Sequence, residues 1–107
     1  YGSGTTNTVT QSGDSNTVSI ADSTSKTTSK TNTIEQTGNG NYAYKDTRGT
    51  GTNDVFEVFQ TGDSNRADAG YNGTSDGNFI SVTQTGNNHT ANMTQTGAGH
   101  SITIIQN

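Results

Sequence analysis

Cysteine, proline, tryptophan and leucine are all missing from this chain of 107 residues. Without cysteine there is no disulfide framework and no thiolate metal site, and the redox compartment stays open. Disordered segments usually stay solvated through charge and proline, and this chain has little of either: its net charge is −4 and only 13% of its residues are charged. With 6 Ile, 5 Val and 3 Phe and no Leu, it falls below the apolar content at which soluble chains usually build a core. No apolar run approaches the roughly 20 residues of a membrane helix, which argues against membrane insertion. Five basic residues in an acidic chain make nucleic acid a poor partner. The chain begins at Tyr1 rather than Met, which points to removal of an N-terminal segment, in secretion or in preparing the protein.

What is present is polar and weakly charged. Thr, Asn, Gly, Ser and Gln make up 66 of the 107 residues. Such a composition suits stacked β-structure, where side-chain ladders add to the backbone hydrogen bonds. A repeat supports this reading. Every glutamine falls on it: Gln11, Gln36, Gln60, Gln84, Gln95 and Gln106. Two residues after each of the first five stands a glycine (Gly13, Gly38, Gly62, Gly86, Gly97). Three further on stands Asn16, Asn41, Asn65, His89 or His100. The flanks alternate with period two, as in Phe79-Ile80-Ser81-Val82-Thr83-Gln84. That is the period of a strand with one buried face. The glycine supplies the positive φ that a tight arc between strands needs.

The spacing predicts an all-β, two-strand-per-coil β-solenoid of about 4.5 coils and nine strands, stacking end to end into a cross-β fibre. A short tail, 1–4, precedes a single solenoid domain, 5–107. Its repeats are 5–22, 30–47, 54–71, 78–95 and a half repeat 100–106, and the longer arcs 23–29, 48–53 and 72–77 read as loops. Gln11, Gln36, Gln60, Gln84 and Gln106 are expected to stack along the first strands and Asn16, Asn41, Asn65 and His89 along the second. Gln95, on a second strand, and His100, at the start of the last first-type strand, carry the same motif and are counted with the ladder residues. Inward amides in such columns pair along the axis and avoid the cost of unpaired burial. The expected apolar core is Val9, Val18, Ile20, Ile34, Ala43, Phe56, Val58, Ala67, Ala69, Ile80, Val82, Ala91, Met93, Ile102 and Ile104. Lys45 falls on an inward position and is expected to fray the pattern or to snorkel outward. Asn7 and Asn32 replace apolar residues, and Lys30 and Asp54 are stacked neighbours able to pair. Val55, Phe59, Phe79 and Ile105, with Tyr42 and Tyr44, project outward as a stripe suited to lateral contact. The outer strands read as open templates. The subunit–subunit edge is placed at Thr5, Asn7, Val9, Gln11, Ile102, Ile104 and Gln106.

The unit Asn78–Gln95, with its Gln-x-Gly-x-x-(Asn/His)-x-Ala core, resembles the curlin repeat of bacterial curli fibre subunits. Asp22, Thr47 and Tyr71 stand where that family has a second-strand glutamine. The resemblance implies a secreted structural subunit that self-assembles into an extracellular, cell-surface amyloid fibre of a biofilm matrix, mediating adhesion. It implies a homopolymer served by a nucleator subunit, an outer-membrane secretion pore and chaperones. No cofactor, metal or catalytic role is expected. His89 and His100 occupy a slot filled elsewhere by Asn, Asp14 and Asp63 are turn residues, and no nucleophile motif is present. The rival expectations are a monomeric Thr-rich solenoid that binds ice, and a rigid adhesin stalk.

Overall fold

A computed structural model describes residues 2–3, 5–23, 27–28 and 30–107. Residues 1 and 4 of the expected tail, and 24–26 and 29 of the expected first long arc, lie outside the described residues. The described residues form eleven strands and no helix: β1 (Gly2–Ser3), β2 (Thr6–Ser12), β3 (Thr17–Ser23), β4 (Thr27–Thr28), β5 (Thr31–Thr37), β6 (Tyr42–Thr52), β7 (Val55–Thr61), β8 (Arg66–Asp76), β9 (Phe79–Thr85), β10 (Thr90–Thr96) and β11 (Ser101–Gln106). Nine are long strands, and each begins one residue later than the repeat spacing predicts.

The strands make two parallel sheets. One holds β2, β5, β7, β9 and β11 in chain order, and the other holds β3, β6, β8 and β10 with the short β1 and β4. The chain alternates between the sheets, so each coil contributes one strand to each, and the fold is a β-solenoid of four coils plus the further strand β11. The extents, 35 × 22 × 15 Å, match this geometry. Five layers at the ~4.8 Å strand spacing span about 20 Å, and two sheets face each other about 10 Å apart.

Alternation in sequence becomes alternation in burial. In β5 the odd residues face out while Asn32, Ile34 and Gln36 are buried, and β7 and β9 repeat the pattern. The core holds Ile34, Ala43, Phe56, Val58, Ala67, Ala69, Tyr71, Ile80, Val82, Ala91 and Met93. Val18, Ile20, Ile102 and Ile104 are partly buried against it. Val9 is a correction. It faces the expected way but is 44% exposed, because β2 is the outermost strand of its sheet and has a neighbour on one side only.

Two expected loops are strand. β6 runs through 48–52 and β8 through 72–76, and their extensions pair as Gly49↔Gly73, Thr50↔Thr74, Gly51↔Ser75 and Thr52↔Asp76. β4 joins this ledge through Thr27↔Gly51, and Gly2 of the expected tail pairs with Thr27 in turn. These segments are poor strand formers singly. Laid one above another, their backbones satisfy each other. The extensions end at Asn53 and Gly77, whose φ values of 57° and 68° turn the chain back into the opposite sheet.

Lys45 is the second correction. It neither frays nor snorkels: it is fully buried, and its Nζ donates to Asn32 Oδ1 at 2.7 Å. Asn32 donates in turn to Asn7 Oδ1 at 2.7 Å. Phe56 and Tyr71 present their rings to the ammonium, with centroids 6.0 and 5.3 Å away. The side chain stays inside because the opposite sheet supplies an acceptor (Asn32) and one aromatic face (Phe56), and the neighbouring strand of its own sheet supplies the second face (Tyr71). Tyr71 donates its hydroxyl to Val55 O at 3.1 Å. Lys30 and Asp54 stack in consecutive coils, both fully buried.

Candidate functional site

The first arcs and the inward glutamines form a set of columns running the length of the stack. Gln11, Gln36, Gln60, Gln84 and Gln106 are in register. Each Nε2 donates to the Oε1 of the next, at 2.7, 2.8, 2.8 and 2.7 Å in chain order. The second Nε2 proton is also used: Gln36, Gln60, Gln84 and Gln106 donate to Thr17 O, Tyr42 O, Arg66 O and Thr90 O of the opposite sheet. These amides therefore bond along the stack and across the core at once. Gln36, Gln60 and Gln84 are 0–1% exposed, a burial that only such full pairing makes tolerable.

A second column runs at the end of the arc. Asn16, Asn41 and Asn65 each accept from the backbone N–H of the residue above, namely Asn41, Asn65 and His89, all at 3.0 Å. Their Nδ2 groups donate forward to Gly38 O, Gly62 O and Gly86 O at 2.8 Å. His89 closes the column, with its Nε2 3.1 Å from Thr85 O, the carbonyl position that Asn16 reaches at Ser12 O.

The two remaining motif residues stand outside these columns, on the strand types that the spacing predicts. Gln95 lies in register with Tyr71 in the other sheet, away from the glutamine column, and its Nε2 reaches Phe79 O at 3.4 Å. His100 immediately precedes β11 and stacks over Asn78, whose Oδ1 accepts its backbone N–H at 2.9 Å. Asn78 in turn donates its own N–H to Asp54 Oδ1 at 3.1 Å. Both residues carry the repeat motif, but they carry it half a coil out of phase.

The arc glycines answer two demands. Gly13, Gly38, Gly62, Gly86 and Gly97 have φ between 103° and 117°. A Cβ on Gly13, Gly38 or Gly62 would stand 2.0–2.1 Å from the carbonyl oxygen of the next glycine in the column. Each arc holds a second positive-φ residue that spacing alone does not reveal: Ser15, Gly40, Ser64, Asn88 and Gly99. At Gly40, Asn88 and Gly99 the residue class is the signal, since Gly and Asn tolerate this region; Ser15 and Ser64 give no such signal. Between the two lies a third column. Asp14, Asn39 and Asp63 donate their N–H groups to Asn39, Asp63 and Asn87 Oδ1 at 2.8–2.9 Å. Asp and Asn alternate, so no two carboxylates are adjacent.

Outside the sheets, Tyr42 and Tyr44 stack with ring centroids 6.5 Å apart. Arg66 lies over Tyr42 at 4.6 Å and pairs with Asp68 at 2.7 Å, and Arg48 pairs with Asp46 at 2.8 Å. The hydrogen bond to Asp68 and its charge hold the Arg66 guanidinium above its ordinary range, so it stays a cation at every working pH. Of the outward stripe, Ile105 is 66% exposed, and Val55, Phe59 and Phe79 are half-buried. Among the described residues no cluster of three or more His, Cys, Asp or Glu could hold a metal ion.

Parallel sheets, stacked coils and continuous amide columns define a β-solenoid with side-chain ladders. Within it, residues 76–107 match the family model of the curlin associated repeat. That is the family the Asn78–Gln95 unit resembles, and the match takes in β9, β10 and β11 with both arcs between them. No significant match was found among curated proteins or solved structures.

Proposed function

We propose that this chain is a structural subunit that self-assembles head-to-tail through its outer strands into an extracellular fibre. The observation that carries the reading is the direction of the glutamine column. All four bonds run the same way, from the earlier Nε2 to the later Oε1. Among the described residues, Gln11 heads the column with an Oε1 that accepts from no other glutamine, and Gln106 closes it with an Nε2 that donates to none. A second copy completes the column only in the same orientation, since a reversed copy sets donor against donor. Thr5, Asn7, Val9 and Gln11 on one edge, and Ile102, Ile104 and Gln106 on the other, are the residues that would meet. β2 is exposed along its whole length, an open strand edge of the kind that templates addition.

The curlin-repeat match supports a role as a fibre component of a biofilm matrix that mediates adhesion and aggregation, with a nucleator, a secretion pore and chaperones as partners. Ice binding lacks the flat threonine array it needs: one outward column reads Thr10, Glu35, Phe59, Thr83, Ile105.

Fibre diffraction of the aged protein tests the reading. We expect a meridional reflection near ~4.8 Å. Double substitution Val9→Lys with Ile104→Lys, which sets charges on both edges, should abolish fibres while the isolated chain keeps its β-sheet spectrum. A wild-type chain that stays monomeric, as a stalk would, overturns it.

A further inference from the structure

On the outer face of the second sheet, the row through β6, β8 and β10 reads Asp46, Gly70, Thr94. Its neighbouring row reads Tyr44, Asp68, Asn92. Gly70 carries no side chain, and a hollow of about 280 Å³ opens there between Tyr44, Asp46, Arg48, Asp68, Asn92 and Thr94. The fold does not demand this glycine. Its φ is not positive, and a Cβ would find its nearest atoms, Met93 O and Thr94 Oγ1, at an ordinary 3.9 Å. Any β-branched residue would suit the strand better. Gly70 thus differs from the arc glycines, which sterics require.

The walls of the hollow are matched to a polyhydroxylated ring. Asp46 and Asp68 each give one carboxylate oxygen to an arginine, Oδ2 in both cases. Asp68 Oδ1 is shielded from water and takes no hydrogen bond. The Asp68 side chain is 18% exposed, so a small turn of its carboxylate brings that oxygen to the hollow, where a hydroxyl donor would meet it. Arg48 and the Asn92 amide supply donors, and Thr94 supplies a hydroxyl. Tyr44, held parallel to Tyr42, offers an aromatic face for the C–H side of a ring. The two carboxylates are balanced by two guanidiniums, so neither a free anion nor a metal cation is favoured. The volume lies just under the range of drug-sized pockets, which suits a single ring.

We propose that the hollow over Gly70, between Tyr44, Asp68 and Asn92, is a subsite for one pyranose unit of a neutral polysaccharide. Such an open site binds weakly by itself. If the chain forms the fibre proposed above, one hollow recurs per subunit, and avidity along a polysaccharide strand follows; the single-site affinity does not depend on assembly.

Equilibrium dialysis of the folded full-length chain against labelled cellotetraose and maltotetraose, with calcium and inorganic phosphate as competitors, tests this. We expect millimolar binding of at least one tetrasaccharide, undisturbed by either ion. Gly70→Val, which fills the hollow, and Asn92→Ala, on the exposed face, should each weaken it by about tenfold or more with the circular dichroism spectrum unchanged. Thr83→Ser, on the other sheet, should leave it as it is. Absence of saccharide binding by the folded wild type overturns the proposal. So does equal binding by Gly70→Val or Asn92→Ala, or displacement by calcium or phosphate. A wild-type chain that binds the saccharide yet forms no fibre on ageing leaves the subsite standing, and its failure to assemble overturns the assembly reading alone.

Discussion

Gly38 shows what a stacked fold asks of one residue. Its φ of 117° and the 2.1 Å approach to Gly62 O would each independently exclude a side chain. Gly77 has a positive φ of 68° but nothing within 4 Å of a Cβ. Comparing the two separates backbone strain from steric stacking. We expect Gly77→Ala to cost about 1 kcal/mol, the usual cost of a left-handed alanine. Gly38→Ala should cost about 3 kcal/mol or more, because the coil above must also move. Thermal melts of the two variants would decide it: equal shifts would mean that the carbonyl contact is not a real constraint. The glycine positions were legible from spacing. The reason for them was legible only in part, since a turn explains the φ and the neighbouring carbonyl appears only once coils are stacked. Lys45 makes the same point. Alternation marked it as inward, but its acceptor Asn32 lies on the opposite sheet, thirteen residues earlier, and no periodicity within a strand reports that.

Elements differ in how many neighbours hold them. β5, β7 and β9 are bonded on both sides, as are β6 and β8, whereas β2 and β11 are bonded on one. Hydrogen exchange of the isolated chain should therefore show protection rising from β2 and β11 toward β7, by about tenfold or more. Uniform protection across all strands would mean that the coils open only together. The main register was legible because the glutamine spacings of 24 and 25 fix it directly. The extensions of β6 and β8 were not, because 48–53 and 72–77 have loop composition. Their pairing is a property of two segments together: the matches Gly49↔Gly73 and Thr50↔Thr74 are a repeat without a hydrophobic period. The half-coil phase shift of Gln95 and His100 was legible, because the spacings of 11 place 89–95 and 100–106 on alternate strand types.

For the whole molecule, surface charge adds little to cohesion, and the charged side chains of Lys30, Lys45 and Asp54 are buried away from salt. Amide columns and a thin apolar layer run through it, and the exterior ion pairs Arg48–Asp46 and Arg66–Asp68 use arginines that are 72% and 53% exposed. Pairs of that kind contribute little. Raising NaCl from about 0.05 to about 0.5 M should accordingly move the melting temperature by less than about 2 °C. A drop of about 5 °C or more would place a main source of stability in the surface charges instead. The glutamine column has one further consequence, and it is electrical. A primary amide carries a dipole comparable to the ~3.5 D of a peptide unit. In most proteins side-chain dipoles point in many directions and cancel, but here five lie head to tail along a single line. The stack is therefore polarised along its axis, and each coil added in the same sense lengthens that dipole. A long assembly of such subunits would turn in an applied field as a rod with a positive and a negative end.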